Sequence, residues 1–82
     1  MKYLVGFKPR ALRDLDSMVS NDRARIIDKI ELMTENLRGD VKRLTNFTPE
    51  YRLRVGDYRI LFEVEGEKLV IYRIKHRRES YR

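Results

Sequence analysis

The chain has 82 residues and a mass of 10.0 kDa, which suits a single domain (residues 1–82) and leaves no room for a second. Apolar residues make up 41% of it and charged residues 39%, so a thin core must lie under a highly charged surface. There is no cysteine, which excludes a disulfide framework and a thiol nucleophile. No apolar run approaches the roughly 18 residues of a membrane span, so we expect no membrane partner, and the lack of cysteine fits a cytoplasmic protein.

The net charge of +6 is concentrated in the second half of the chain. Residues 1–41 carry 8 basic and 7 acidic side chains, whereas residues 42–82 carry 11 basic and 6 acidic ones. A small domain with this balance often binds nucleic acid or another phosphate-bearing partner. We therefore expect an anion-binding site in the second half.

The first half predicts a strand followed by two helices. Residues 2–7 are typical of a short strand, and Pro9 suits the first turn of a helix. Ser20-Asn21-Asp22 would supply the N-cap of the second helix, and Gly39 would end it. The apolar stripes at helical spacing are Ala11, Leu12, Leu15, Met18 and Val19 in the first helix and Ile26, Ile27, Ile30, Met33 and Leu37 in the second.

The second half predicts strands. Residues 40–50 show no clear period and are interpreted as a connection, but from Tyr51 apolar and polar residues alternate. Strands over 51–55, 58–64 and 68–74 are separated by a Gly-first turn at Gly56-Asp57 and a second turn at 65–67. The order β-α-α-β-β-β predicts an α+β fold, in which a small, largely antiparallel β-sheet has the two N-terminal helices packed on one face.

The predicted first hairpin gathers arginines. With Gly56 and Asp57 as the loop, Leu53 faces Ile60 on an apolar side suited to the helices. On the other side Arg54 faces Arg59, and Arg52 lies diagonal to Arg59. Directly opposed like charges destabilise a sheet, so these guanidinium groups favour a shared anion such as phosphate. The alternative is a solvated sheet face whose charges discourage edge pairing.

The second turn is expected to extend this patch by placing Glu63 opposite Lys68 and Arg59 opposite Tyr72. Tyr72 would then offer a stacking surface for a base. After the last strand comes a basic tail that contains the only histidine, His76, and ends with Tyr81 and Arg82. Both His76 and Tyr81 are of proton-transfer type. The residues expected to contact RNA without taking part in the chemistry are Tyr72, Arg73, Lys75 and Arg78.

The pattern of residue types fits a reaction without a metal or other cofactor. There is no Gly-rich phosphate loop and no metal-ligand spacing, and the serines have no paired base. In one metal-free route of RNA cleavage the substrate supplies the nucleophile, because the ribose 2′-hydroxyl attacks the adjacent phosphate. The protein need only align the groups, neutralise the phosphate and move protons. The same side chains could also bind nucleic acid without cutting it.

Two segments carry a family resemblance. The run from Tyr51 to Ile60 and the ending from His76 to Tyr81 resemble the RelE branch of the RelE/ParE toxin superfamily. The resemblance implies a type II toxin, an endoribonuclease (mRNA interferase) that cleaves mRNA in the ribosomal A site beside ribosomal RNA. It further implies a cognate antitoxin as partner, with operator DNA bound only through the toxin–antitoxin complex.

By position, the resemblance also implies residue roles. Arg52 and Arg54 fall where relatives carry basic residues near the scissile bond, and Arg59 and Arg77 match arginines that bind the phosphate. Tyr81 matches a C-terminal tyrosine that orients the nucleotide. Arginine is a poor general base because its pKa exceeds about 12, so His76 is the candidate for that role. The candidate catalytic residues are therefore Arg52, Arg54, Arg59, His76, Arg77 and Tyr81.

Two other functions are compatible with the sequence. A ParE-like toxin would share the fold and inhibit gyrase by binding it. A plain nucleic-acid-binding module would bind RNA or DNA with strong salt dependence and would not cleave it.

Overall fold

The computed structural model describes residues 2–80, in which a five-stranded sheet carries two helices on one face. The elements are β1 (Leu4–Phe7), α1 (Pro9–Asp16), α2 (Ser20–Met33), β2 (Asp40–Arg43), β3 (Tyr51–Val55), β4 (Tyr58–Glu65), β5 (Lys68–His76) and α3 (Arg77–Ser80). The strand order is β1-β5-β4-β3-β2, with β1 parallel to β5 and the other pairs antiparallel. The predicted α+β class is confirmed.

The core lies between the helices and the sheet. Its fully buried side chains include Ile26 and Met33 from α2, Leu53 from β3, and Ile60 and Phe62 from β4. Burial of each such side chain contributes roughly 1.5–3 kcal/mol, which is the main stabilising term in a domain this small.

The helices bury narrower stripes than the sequence predicted. In α1 only Ala11 and Leu15 are buried, and Leu12 keeps 49% of its surface exposed. The buried residues of α2 are Ile26, Ile30 and Met33, which follow an i, i+4, i+7 ridge. Only these residues of each helix are buried against the core, and flanking apolar residues such as Leu12 and Ile27 remain partly in solvent.

The ends of α2 differ from the prediction. The N-cap is Val19, and no side chain caps it, so the expected cap by Ser20-Asn21-Asp22 is wrong. The guanidinium of Arg23 instead binds the carbonyls of Leu15 (3.0 Å) and Met18 (2.8 Å) at the corner between the helices.

The helix also ends earlier than Gly39, with its C-cap at Thr34. The Thr34 carbonyl accepts a 2.8 Å hydrogen bond from the Tyr3 backbone N–H, just before β1. Positive φ angles at Asn36 and Leu37 then turn the chain away. The left-handed backbone at Asn36 and Leu37 therefore ends the helical path before Gly39, and the Tyr3 N–H satisfies the Thr34 carbonyl at the helix end.

The segment read as a connection contains a strand. Residues Asp40–Arg43 form β2, which pairs with β3 and places Asp40 opposite Arg54 and Lys42 opposite Arg52. The run is only 4 residues long and highly polar, so its periodicity was too weak to reveal it.

The first hairpin has the predicted register. Val55 faces Tyr58, Leu53 faces Ile60, and Arg54 faces Arg59. Gly56 has φ +57°, the left-handed conformation that a Gly-first two-residue loop requires.

The predicted register of the second hairpin is wrong. Lys68 faces Glu65 instead of Glu63, because the loop is Gly66-Glu67 and Gly66 takes φ +61°. Gly66-Glu67 repeats the Gly-first pattern of Gly56-Asp57, so the same rule applied to both turns would have given this loop.

A β-bulge then shifts the register again between Leu61 and Phe62 of β4. Phe62 faces Ile71 but Leu61 faces Arg73, so Tyr72 is the extra residue of β5. The shift brings Ile74 opposite Ile60 in the core. An uninterrupted ladder from Ile71 would have put Arg73 there instead. Arg59 consequently faces Lys75, and the predicted pairing of Arg59 with Tyr72 is wrong.

Candidate anion-binding site

The site is built on the sheet face that points away from the helices. Four charged residues occupy one row across neighbouring strands: Asp40 of β2, Arg54 of β3, Arg59 of β4 and Lys75 of β5. Because side chains alternate along a strand, this row lies opposite the face that buries Leu53 and Ile60. The row therefore places three cations and one anion side by side.

The end of β5 adds a further arginine. The Arg77 backbone N–H donates a 2.6 Å hydrogen bond to the Asp57 carbonyl in the β3–β4 loop. This contact fixes the start of α3 against the hairpin. As a result, Arg77 lines a cavity of about 240 Å³ together with Arg54 and Arg59.

The remaining lining of this cavity comes from the loop and the residue after it, namely Gly56, Asp57 and Tyr58. The three arginines that line one concavity carry paired N–H donors and a positive charge that persists at any physiological pH. This arrangement suits an anion with several oxygens, such as a phosphodiester.

Asp40 is a carboxylate that the sequence analysis did not connect with the arginines. Its side chain accepts from Arg54 Nε at 2.9 Å and from Arg52 Nη1 at 3.3 Å. Hydrogen bonding by Arg52, together with the positive charge of Arg54, holds the pKa of Asp40 below its ordinary value of 3.8. Asp40 is therefore a charged counter-ion at neutral pH. Its position opposite Arg54 depends on β2, so a sequence reading without that strand could not find it.

Arg52 and Arg54 differ in exposure. The Arg52 side chain is 15% exposed and also donates to the Asp40 backbone carbonyl at 3.0 Å, whereas Arg54 is 58% exposed. Arg52 thus lies over the β2–β3 pair. Arg54 reaches the cavity with Arg59 and Arg77, and Arg52 does not line it.

His76 lies on the other face of the sheet. It is directly opposite Tyr58, and the two rings meet edge to face with their centroids 5.1 Å apart. The Tyr58 hydroxyl donates to Asp22 of α2 at 3.0 Å, and burial together with this bond raises the pKa of Tyr58. His76 and Tyr58 line a separate cavity beside α1 and α2. The structure therefore does not bring His76 to the arginines.

His76 instead contacts the chain that follows it. Its Nδ1 accepts a 3.2 Å hydrogen bond from the Arg78 backbone N–H. Because α3 begins at Arg77, this bond braces the same turn that carries Arg77 to the cavity. The bulge in β5 explains the placement, since one extra residue exchanges the faces of everything after it.

The other candidate contact residues are distributed around the end of β5. Lys75 is in the row with Arg59, and Arg78 is exposed. The ammonium of Lys8 lies over the Tyr72 ring, 5.3 Å from its centroid. Tyr81 lies outside the described residues.

Arg73 binds a carboxylate of α1, a contact that the sequence did not reveal. Its Nε donates to Asp14 of α1 at 2.9 Å, and the same carboxylate accepts from the Ile74 backbone N–H at 2.9 Å. Burial alone would raise the pKa of Asp14, but the bonds from Arg73 and Ile74 outweigh it and the pKa is lowered. Asp14 thus ties α1 to β5 near the bulge. Two residues 59 positions apart give no local signal of such a contact.

Known proteins with similar sequences belong to type II toxin–antitoxin systems or are named as RelE toxins. Residues 5–81 match the family described as the ParE toxin of the type II toxin-antitoxin system, parDE. Toxin RelE3 of Methanocaldococcus jannaschii is 33% identical, with 94% of this chain and 93% of that protein covered. A putative toxin RelE1 of the same organism is 27% identical over 100% of this chain and 98% of its own length.

Solved structures agree with these sequence matches. The toxin of the RelB-RelE antitoxin-toxin complex from Methanococcus jannaschii has a TM-score of 0.76 at 33% identity, covering 92% of this chain and 93% of its own. The RelBE2 toxin-antitoxin complex from Mycobacterium tuberculosis gives a TM-score of 0.79 at 28% identity, covering 94% and 100%. The chain belongs to the RelE/ParE family of type II toxin–antitoxin toxins, as its two sequence segments suggested. Along residues 2–80, no helix is long and apolar enough to cross a membrane.

Proposed function

We propose that the chain is an mRNA interferase, a metal-free endoribonuclease that inhibits translation by cutting mRNA in the ribosomal A site. The observation that carries the proposal is the convergence of Arg54, Arg59 and Arg77 on one cavity, opposite the helix-packed face. The RelE names of the relatives support the same class of activity.

In the reaction assigned to this site, the RNA itself supplies the nucleophile. The ribose 2′-oxygen forms a bond to the neighbouring phosphorus while the bond from phosphorus to the 5′-oxygen breaks. The products are a 2′,3′-cyclic phosphate and a 5′-hydroxyl end. Negative charge grows on the phosphoryl oxygens in the transition state, and Arg59 and Arg77 are assigned to stabilise it.

Two protons move in this reaction. One leaves the 2′-hydroxyl and one reaches the departing 5′-oxygen. Tyr81 is proposed to orient the nucleotide and to assist proton transfer, on the strength of its sequence position alone. His76 faces the helices and is assigned instead to bracing the turn at Arg77.

Replacement of Arg59 by alanine tests the proposal. We expect Arg59→Ala to remove growth arrest on expression and to lower the rate of mRNA cleavage by about 100-fold or more, the usual effect of losing one transition-state donor. Mapping of mRNA 5′ ends after expression measures the cleavage. The matched control is Arg38→Ala, which removes an equal charge at an exposed pair with Glu35, away from the cavity. Full toxicity of a folded Arg59→Ala chain would contradict the assignment.

A gyrase-inhibiting toxin is the second candidate, favoured by the match of residues 5–81 to the ParE toxin family. Such a toxin would act by binding, and its expression would produce DNA damage with intact messages. Measuring DNA damage and mRNA 5′ ends in the same cultures separates the two activities.

We also propose a cognate antitoxin as partner. Similar toxins have been solved in the RelB-RelE complex from Methanococcus jannaschii and in the RelBE2 complex from Mycobacterium tuberculosis. The basic second half of this chain would attract an antitoxin segment with an acidic face. Operator DNA would be bound through that complex.

A further inference from the structure

Asp40 stands at the edge of the proposed RNA site, in direct contact with one of its arginines. Asp40, Arg54 and Arg59 occupy matching positions on three adjacent strands, so Arg54 lies between a carboxylate and a second guanidinium. Arg54 Nε donates to Asp40 Oδ2 at 2.9 Å, while the same side chain lines the cavity with Arg59 and Arg77. A phosphate bound in the cavity would compete with Asp40 for this guanidinium.

The two arginines held by Asp40 are held differently. Arg52 is 15% exposed and is fixed by both the carboxylate and the backbone carbonyl of Asp40. Arg54 is 58% exposed, and its contact with Asp40 is through the side-chain carboxylate. An exposed ion pair of this kind contributes little to stability, so a phosphate can replace the carboxylate at little cost. Arg52 would keep Asp40 in place when Arg54 leaves.

We propose that Asp40 is an internal counter-anion that occupies Arg54 until an RNA phosphate displaces it, and that it thereby limits the affinity of the site for single-stranded RNA. The inference rests on the proposed function, because it concerns the same cavity. In the free toxin the carboxylate offsets repulsion between Arg54 and Arg59. In the bound state the phosphodiester takes over this task, and Arg54 turns from β2 toward Arg59.

The matched comparison is Asp40→Asn against Glu50→Gln. Both changes remove one negative charge from a carboxylate of the β2–β3 hairpin that pairs with an arginine. Glu50 pairs with Arg43 at 3.2 Å, and this pair lies at the opposite end of the β2–β3 ladder from Asp40 and Arg54, so neither residue lines the cavity. The two variants have the same net charge. A difference in their RNA affinity therefore shows that the position of the lost carboxylate matters.

The experiment measures binding of a short 2′-O-methyl RNA, which lacks the nucleophile and is not cut, to the full chain at several salt concentrations. We expect Asp40→Asn to bind about three- to tenfold more tightly than Glu50→Gln at low salt, with a similar slope of log K against log salt, because Arg54 neutralises one phosphate in both bound states. Equal or weaker binding by Asp40→Asn than by Glu50→Gln would overturn the inference.

A second measurement uses the wild-type chain and needs no variant to fold. The Nε–H resonance of Arg54 should shift when the RNA is added, because its hydrogen-bond acceptor changes from carboxylate to phosphate. An unchanged resonance at saturating RNA would overturn the displacement. If the wild-type chain binds RNA but the variants do not differ, this inference alone fails. If no chain binds RNA, this inference fails, and the mapping of mRNA 5′ ends after expression decides the proposed function separately.

Discussion

Single carboxylates connect separate elements of this small domain through contacts that the sequence does not reveal. Asp14 accepts hydrogen bonds from Arg73 and from the Ile74 backbone, and its side chain is only 12% exposed. Asp40 pairs with Arg52 and Arg54 on the opposite face. Each acid lies on a different element from its partners, so each contact appears only once the register is known.

Asp14 gives a prediction about stability in acid. Its pKa is lowered in the folded chain relative to the ordinary 3.8, so its stabilising effect is present above about pH 4 and is lost as the pH falls through the folded value. Asp14→Asn should lower the free energy of unfolding at pH 7 by about 1–3 kcal/mol and flatten the loss of stability below pH 4. Thermal unfolding between pH 2 and pH 7 measures both effects. Asp16→Asn, an exposed change on the same helix, is the control and should unfold as the wild type does.

The two hairpins show how much of an element can be predicted from residue types. The Gly56-Asp57 loop and the alternation around it gave the full register of β3 and β4, and hence the opposed Arg54 and Arg59. The loop of the next hairpin could have been predicted from Gly66 in the same way. The bulge at Tyr72 could not, because it follows from packing Ile74 rather than Arg73 against the core. The position of His76 depends on that bulge.

Gly66 provides a test of the second turn. Its φ is +61° and the space around its Cα is open, so substitution there changes the backbone preference without a steric clash. Gly66→Ala should lower the free energy of unfolding by about 1 kcal/mol, and Gly66→Asn by less, because asparagine tolerates the left-handed conformation. Chemical denaturation of the three chains provides the comparison. Equal stability of the alanine variant and the wild type would argue against this loop.

The two faces of the sheet differ in what they contact. One face of the sheet packs against α1 and α2, and the other carries the basic row that includes Arg54, Arg59 and Lys75. The class of fold, the family and the arginine pair were all predictable from composition, order and alternation. The extra strand β2 was not, because 4 polar residues carry no period of their own.

The salt dependence of RNA binding should show that the basic face of the sheet is the binding surface. Three arginines at one cavity predict a slope of log K against log salt of about −2 for single-stranded RNA, which is about a 15- to 20-fold loss of affinity between 50 and 200 mM salt. Alanine at Arg54, Arg59 and Arg77 together should flatten the slope. Alanine at Arg13, Lys29 and Arg38 removes the same charge from the helical half and should leave it close to the wild-type value.

The extra residue in β5 has a consequence for comparing this toxin with its relatives. Tyr72 exchanges the two faces for every position after it, so Lys75 joins the row of Arg59 while His76 turns toward Tyr58. A relative with one residue fewer at this point would present the opposite set of tail side chains to its substrate, even with an identical ending. Roles at the carboxyl end should therefore be assigned from the strand pairing, starting at the pair of Ile60 and Ile74. A sequence alignment alone can match residues that lie on opposite faces of the sheet.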